Sequence, residues 1–142
     1  MDVHEVMTRL LVTASPSDTV SQALRRLETE EFRHLPVVES GRLVGMVSDR
    51  DLREVRLPLI EAIDNPAMAA RLLATPLSDV METSVVTVGL EDSIEDVIEC
   101  MLEHRVGALP VIEHHGGSLV GIVSYIDLLA AMRSRPRVGL VG

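Results

Sequence analysis

Apolar and polar residues follow helical spacing in two parts of the chain. Apolar side chains recur every three or four residues over 20–27 and again over 94–102. Polar residues that favour helix N-caps precede each run, so Ser17 or Asp18 is the predicted cap of the first and Asp92 that of the second. The pattern predicts two helices, each with one buried face.

Short apolar runs rich in β-branched residues surround each predicted helix. An extended segment precedes the helix and a hairpin of two strands follows it, and the last strand of each hairpin runs into Ser-x-x-Asp and a short amphipathic helix. Each unit is therefore predicted to be β-α-β-β-α. The predicted strands are 10–13, 35–38 and 43–47 in the first unit, and 85–88, 109–112 and 119–123 in the second.

The second half of the chain repeats the first. At an offset of 74, VMTRLLVTASPSDTV (6–20) aligns with VMETSVVTVGLEDSI (80–94). From the hairpin onward the offset is 76, and LVGMVSDRDL (43–52) aligns with LVGIVSYIDL (119–128). The two added residues fall around 114–117, in a turn where an insertion costs little. Two copies indicate a pseudo-symmetric pair rather than a longer repeat array.

The repeat suggests a division of the chain into four parts. We expect repeat 1 at 1–56, a linker at 57–77, repeat 2 at 78–133 and a flexible tail at 134–142. Pro58, Pro66 and Pro76 are predicted to divide the linker, with a helical turn or two over 68–73. A unit of roughly 50 residues buries too little surface to be stable alone, so we expect an α/β (α+β) fold of two units packed sheet to sheet about a pseudo-twofold.

Composition narrows the classes of protein that fit. The 142 residues are 46% apolar, enough for a core, and no apolar run is long enough to cross a membrane. The first residues do not resemble a secretion signal and there is one cysteine, so we expect a cytoplasmic protein without disulfides. The net charge of −9 disfavours nucleic-acid binding. Anionic ligands would need locally placed arginines or helix N-termini.

The ordered motifs resemble those of a known family. VMT, SPSDTV, RHLPVV and GMVSDRDL in the first half, and VM, LEDSI, GALPVI and GIVSYIDL in the second, are similar to tandem cystathionine-β-synthase-type (CBS) repeats, the arrangement called a Bateman module. The resemblance covers residues 5 to about 132. It implies a regulatory module without catalysis that binds adenosine-containing ligands in clefts between the repeats.

The resemblance also implies which residues contact the ligand. The family motif G-h-h-S/T-x-x-D/N carries the ribose and phosphate contacts. Spacing supports this role, because Ser and Asp three residues apart in a first helical turn face the same side as the free backbone N–H groups. An ionised Asp accepts hydrogen bonds from a ribose diol, and a hydroxyl donates to phosphate. The motif residues are Gly45, Ser48 and Asp51 in the first repeat, and Gly121, Ser124 and Asp127 in the second.

Ser-x-x-Asp at a strand-to-helix junction has a second interpretation. It is also a capping box, in which the two side chains satisfy backbone N–H groups of the helix N-terminus. The preceding glycine favours the ligand interpretation, since a ligand requires close approach of the backbone and a cap does not. Both interpretations remain open at the level of sequence.

The family places the purine against the strand before the Pro of the opposite repeat, with further contacts from the segments at 8–12 and 83–86. The basic side chains among these positions are unevenly distributed between the repeats, since Arg33, His34 and Arg50 all belong to repeat 1. We therefore expect at most one tight phosphate site. Glu82 departs from the family's VMT pattern. The resemblance adds these contact residues: Thr8, Val12, Phe32, Arg33, His34, Arg50, Thr83, Val106, Gly107 and Ala108.

Other chemical sites are disfavoured. The histidines lie in different predicted elements, or side by side at 114–115, so no metal site is expected. Cys100 lies in a helical apolar run, which favours burial over catalysis, and no catalytic triad is found. Arg33 and Arg50 also fit solvated surface positions.

We expect a module that binds AMP, ADP or ATP, requires no cofactor and forms a homodimer through its helices, as the resemblance implies. An unidentified target protein is a further partner, whereas nucleic acid and membranes are not. The alternatives are a binder of S-adenosylmethionine or NAD, and a dimerisation or protein-interaction module with vestigial clefts.

Overall fold

The computed structural model describes residues 1–9, 12–30, 33–113 and 117–133, apart from the side chains of Thr29 and Glu30. Helices and short strands alternate in two successive β-α-β-β-α series, which confirms the predicted mixed α/β fold. The helices are α1 (Val3–Val6), α2 (Val20–Glu30), α3 (Asp49–Glu61), α4 (Pro66–Leu73), α5 (Ile94–His104) and α6 (Tyr125–Met132), with a 3-10 turn at Leu77–Asp79. The strands are β1 (Thr8–Arg9), β2 (His34–Glu39), β3 (Arg42–Ser48), β4 (Val88–Gly89), β5 (Ala108–Ile112) and β6 (Leu119–Ser124).

The chain packs into two compact units that do not coincide with its two sequence halves. Unit 1 contains Met1–Arg9, Val86–His114 and Val120–Gly142. Unit 2 contains Leu10–Val85 and His115–Leu119. Each unit therefore combines most of one repeat with the short segment that begins the other.

Unit 1 is built on a four-stranded sheet in the order β1-β6-β5-β4. The edge strand β1 runs antiparallel to β6, and β4 runs parallel to β5. The predicted strand at 85–88 is shifted, because pairing with β5 begins only at Val88. Alternate residues of β5 and β6 point into the core with one face of α5. Fully buried members of this core are Val3, Val97, Leu109, Val111 and Val123.

Unit 2 is built on the β2-β3 hairpin. Ala14 bridges in parallel to Val37 of β2, and Glu82 bridges antiparallel to Met46 of β3. The hairpin turn places Ser40 and Gly41 at positive φ, a backbone conformation that glycine adopts without strain. The core beneath the hairpin includes Val20, Leu35, Val37, Val47, Leu52 and Leu77, each fully buried.

The predicted N-caps of α2 and α5 are wrong by one or two residues. Asp18 accepts the Ser15 N–H at 2.9 Å and Asp92 accepts the Gly89 N–H at 2.7 Å, so both aspartates close the turn before the helix. The next residue then caps. Thr19 Oγ1 accepts the Gln22 N–H at 3.3 Å, and Ser93 Oγ accepts the Asp96 N–H at 3.2 Å.

The linker is helical for most of its length. Asn65 caps α4 by accepting the Met68 N–H at 3.2 Å, which confirms the predicted helical turns and extends them back to Pro66. The expectation that Pro58 divides the linker is wrong, since Pro58 lies inside α3. Its carbonyl still accepts the Ala62 N–H at 3.0 Å, so the helix continues past it. No helix of the described ranges is long and apolar enough to cross a membrane.

Candidate functional site

Both Ser-x-x-Asp motifs lie where a strand becomes a helix, and both form the capping box. Ser48 Oγ accepts the Asp51 N–H at 3.1 Å, and Asp51 Oδ2 accepts the Ser48 N–H at 2.8 Å. The corresponding distances at Ser124 and Asp127 are 3.2 and 2.8 Å. The capping interpretation is thus confirmed for both repeats.

The cap uses only part of each motif's hydrogen-bonding capacity. In the box the serine oxygen accepts a bond, which leaves its hydroxyl proton to donate elsewhere. The aspartate uses Oδ2, and a second carboxylate oxygen remains as an acceptor. Because all four side chains are half-buried, they are fixed by the cap and still reachable. Such a pair suits a ligand with a diol and an anionic group.

The structure gives a packing reason for glycine at the two motif positions Gly45 and Gly121. A Cβ at Gly45 would lie 2.5 Å from Met81 Sδ and 3.1 Å from the Glu82 carbonyl oxygen. At Gly121 it would lie 2.8 Å from both Met7 Sδ and the Thr8 carbonyl oxygen. The close approach is therefore made by the paired protein segment. The prediction that these glycines favour a ligand over a cap is therefore wrong.

Unit 2 gathers charged residues around its motif. His34 of β2 lies opposite Ser48 of β3, and the Arg33 carbonyl accepts the Asp49 N–H at 2.9 Å. Burial lowers the pKa of His34 below its ordinary value of 6.5, an effect that the nearby Asp51 carboxylate opposes and the Arg33 guanidinium reinforces. Arg33 and Arg50 have exposed side chains.

The β3 edge of unit 2 receives the other predicted contact segment. Glu82 bridges to Met46 and accepts the Ser84 N–H at 3.1 Å, with exposed Thr83 between the two residues. Val12 is half-buried against the core of this unit. Phe32, the remaining predicted contact of repeat 1, lies outside the described residues.

Unit 1 places uncharged residues at the equivalent positions. The Gly107 carbonyl accepts the Tyr125 N–H at 2.9 Å, matching the bond between Arg33 and Asp49 in unit 2. Val106 and Ala108 are half-buried on either side of Gly107. Thr8, on β1, pairs with Ile122 of β6. Thr8 therefore joins the motif of repeat 2, and Thr83 joins that of repeat 1.

Two residues inside the Ser-x-x-Asp motifs were not predicted from the sequence as part of the site. Asp49 is the first residue of α3 and pairs with Arg56 at 3.3 Å and Arg53 at 4.0 Å. Tyr125 holds the same position on α6 and packs against Gly107. Their signal was their location inside the otherwise repeated Ser-x-x-Asp motif, where the two copies carry different residue types.

The described residues contain no group of three or more His, Cys, Asp or Glu side chains arranged to hold a metal ion. Cys100 is half-buried on α5. Burial, together with the nearby carboxylates of Glu103 and Asp92, raises the pKa of its thiol. This environment disfavours the nucleophilic thiolate.

Comparison with known proteins identifies the family. A family model described as the CBS domain matches residues 3–58 and 77–134. The chain belongs to the CBS domain family. It is 33% identical over 137 residues to the CBS domain-containing protein YhcV of Bacillus subtilis, covering 96% of this chain and 89% of that protein.

Other CBS relatives are larger or have known ligands. Inosine-5′-monophosphate dehydrogenase of Methanocaldococcus jannaschii is 31% identical over 126 residues, which are 88% of this chain and 22% of that enzyme. The structure of CBSX2 in complex with AMP superposes with a TM-score of 0.76 at 28% identity, covering 92% of this chain and 94% of that one. The CBS domain pair of MJ0100, solved with 5′-methylthioadenosine and S-adenosylmethionine, has a TM-score of 0.72 at 20% identity over the same shares, which shows the fold.

Proposed function

We propose that this chain is a regulatory module that binds adenine nucleotides of the AMP, ADP and ATP class and has no catalysis of its own. The observation that carries the proposal is the doubled Ser-x-x-Asp motif. In each unit it presents a fixed hydroxyl and a free carboxylate oxygen at a helix N-terminus. The AMP complex of CBSX2 supports the ligand class.

The contacts are proposed to differ in kind. Asp51 and Asp127 accept hydrogen bonds from ribose hydroxyls. Ser48 donates to phosphate, and the Ser124 hydroxyl donates to the ligand held at the other motif. Arg33 and Arg50 make unit 2 the site that holds the phosphate, because a dianion near a protein of net charge −9 needs local cations, and the neutral His34 imidazole donates one further hydrogen bond. The remaining proposed contacts are Thr8, Val12, Phe32, Gly45, Thr83, Val106, Gly107, Ala108 and Gly121.

The test is calorimetry with AMP, ADP, ATP and CTP at fixed salt, comparing D51N and D127N. Asparagine keeps one acceptor oxygen for the cap but loses the charge and the second acceptor. We expect adenine nucleotides to bind in preference to CTP, and D51N to weaken AMP binding by about tenfold to a hundredfold, the scale of charge-assisted hydrogen bonds. D127N has a much smaller effect on AMP.

A matched control is D92N, since Asp92 also accepts a backbone N–H three residues before it but lies outside both motifs. It should leave AMP binding unchanged. Equal small losses in both motif variants, or no heat with any adenosine ligand, would favour a dimerisation or interaction module with vestigial clefts. Preference for S-adenosylmethionine or NAD in the same assay would replace the ligand class and keep the site.

We also infer that two copies associate through their helices and that the protein acts in the cytoplasm on an unidentified target protein. Exposed apolar side chains on α3 and α6 support the first inference. In sequence, the proposed ranges are 1–56 for repeat 1, 57–77 for the linker, 78–133 for repeat 2 and 134–142 for the tail.

A further inference from the structure

The two motifs share a backbone arrangement but differ in the side chains beside it. In each unit the first N–H of the helix donates to a carbonyl just before the hairpin's first strand, and both bonds are 2.9 Å long. In unit 2 the bonded residues are Asp49 and Arg33. In unit 1 they are Tyr125 and Gly107. Two charged residues in unit 2 thus correspond to a tyrosine and a glycine in unit 1.

Tyr125 and Gly107 are in direct contact in unit 1. A Cβ at Gly107 would lie 3.4 Å from Tyr125 Cδ1 and 3.6 Å from Cε1, so the ring packs beside the bare backbone. The residue is also 50% exposed. The part of the ring that does not face Gly107 is open to solvent on the residue that follows Ser124 in the chain, and adenine rings stack well on exposed aromatic surfaces.

The positions that supply positive charge in unit 2 are uncharged in unit 1. Gly107 aligns with Arg33, and Ile126 aligns with Arg50. Arg9 does reach β6, but it pairs with Gly121. Because side chains alternate along a strand, Arg9 shares the side of buried Val123 rather than that of Ser124. A phosphate dianion at this motif would lose its hydration without the arginine side chains that the equivalent positions supply in unit 2.

We propose that unit 1 binds an adenosine ligand that carries no phosphate, such as adenosine or a 5′-thioether of 5′-deoxyadenosine. Tyr125 is the specificity-determining residue and stacks on the adenine, while Asp127 accepts the ribose hydroxyls. This inference rests on the proposed function, and it assigns different ligands to the two units.

Tyr125 provides its own probe, since it is the chain's one tyrosine and the chain has no tryptophan. Adenosine and AMP are titrated into the full chain while tyrosine fluorescence is recorded at an excitation wavelength that adenine absorbs weakly. We expect adenosine to change the fluorescence at a concentration at least about tenfold lower than AMP does, given the size of one charge-assisted contact. AMP should release heat in calorimetry at a lower concentration than the one at which it changes the tyrosine fluorescence.

Variants of Tyr125 distinguish a role in stacking on adenine from a purely structural role of the side chain. Y125F keeps the ring and should retain adenosine binding by calorimetry. Y125A should weaken it about tenfold, the scale of one base stacked on an aromatic side chain, with AMP heats unchanged. The double variant G107R/Y125D transplants the pair of unit 2 into unit 1. It should bind a second AMP, and the loss of the Tyr125 ring leaves room for the new arginine.

The outcomes distinguish this inference from the function on which it rests. If AMP and adenosine both bind but change tyrosine fluorescence at equal concentrations, or if Y125A binds adenosine as the wild type does, the division of ligands is wrong and the nucleotide-binding function stands. If no adenosine ligand releases heat with the wild type, both are wrong.

Discussion

At the scale of residues, His34 connects the fold to the proposed site. The hairpin register places it opposite Ser48, and its imidazole is partly buried near Asp51 and Arg33. Burial disfavours the charged imidazolium and lowers the pKa of His34 below 6.5 in the folded protein. The unfolded chain therefore binds a proton at a pH where the folded chain does not.

This shift predicts a pH dependence of stability. Well above pH 6.5 His34 is neutral in both states, so its contribution to the free energy of unfolding is constant. As the pH falls below 6.5 towards the lowered pKa, the unfolded state gains protons first and the folded state loses stability. Urea unfolding of the wild type and H34Q across this range measures the effect. A wild-type profile that stays parallel to that of H34Q would contradict the shift.

At the scale of elements, the pairing of short segments with β3 and β6 depends on bare glycine. Gly121 faces the Thr8 carbonyl and the Met7 thioether, whereas Gly45 faces chiefly the flexible side chain of Met81. Backbone atoms in a sheet yield less readily than the end of a methionine. The two glycines therefore differ in how much a methyl group disturbs them.

We predict that G121A and G45A each destabilise the protein by about 1–3 kcal/mol, the range for overpacked sites. Truncation of the neighbouring methionine should reduce the cost of the added methyl group more at Gly45 than at Gly121. The loss of stability from M81A to G45A/M81A should therefore be smaller than the loss from M7A to G121A/M7A. Thermal unfolding measures all six variants. G107A is the control, because its new methyl group would make an ordinary contact at 3.4 Å and change stability by less than about 0.5 kcal/mol. Equal recovery at both glycines would contradict the distinction.

At the scale of the whole molecule, α3 and α6 each leave apolar side chains uncovered. Leu57 and Ile60 of α3 are 62% and 66% exposed, and Leu129 and Met132 of α6 are 63% and 62% exposed. Clusters of exposed apolar side chains commonly mark interfaces between proteins. This exposure supports the homodimer inferred from the family.

We predict that sedimentation at micromolar concentration gives a dimer, and that I60D or L129D shifts it to the 15.5 kDa chain by placing a charge in the apolar interface. L102D is the matched control. Leu102 is equally apolar and 74% exposed, but it lies on α5, outside the proposed interface. A wild type that sediments as a monomer would reject the dimer, and dissociation by L102D alone would move the interface to α5.

Local pattern was sufficient wherever neighbours in sequence decide the structure. Apolar spacing predicted α2 and α5, and the paired runs around short turns predicted both hairpins. The repeat and its motifs predicted the CBS family, and Ser48 and Ser124 begin helices as their spacing indicated. The misplaced caps at Asp18 and Asp92 are also local, but two adjacent polar residues competed for one role and the backbone geometry chose between them.

Tertiary structure decided what depends on strand pairing between distant segments. Thr8 and Ser48 lie in the same sequence repeat, whereas β1 pairs with β6 and places Thr8 in the same unit as Ser124. The same pairing gave Gly45 and Gly121 a role in packing that the motif alone attributed to a ligand. Contact between Tyr125 and Gly107 likewise requires two separate elements to meet. Spacing records which residues share a helix or strand face, but register between segments far apart in the chain is fixed only when the whole unit folds.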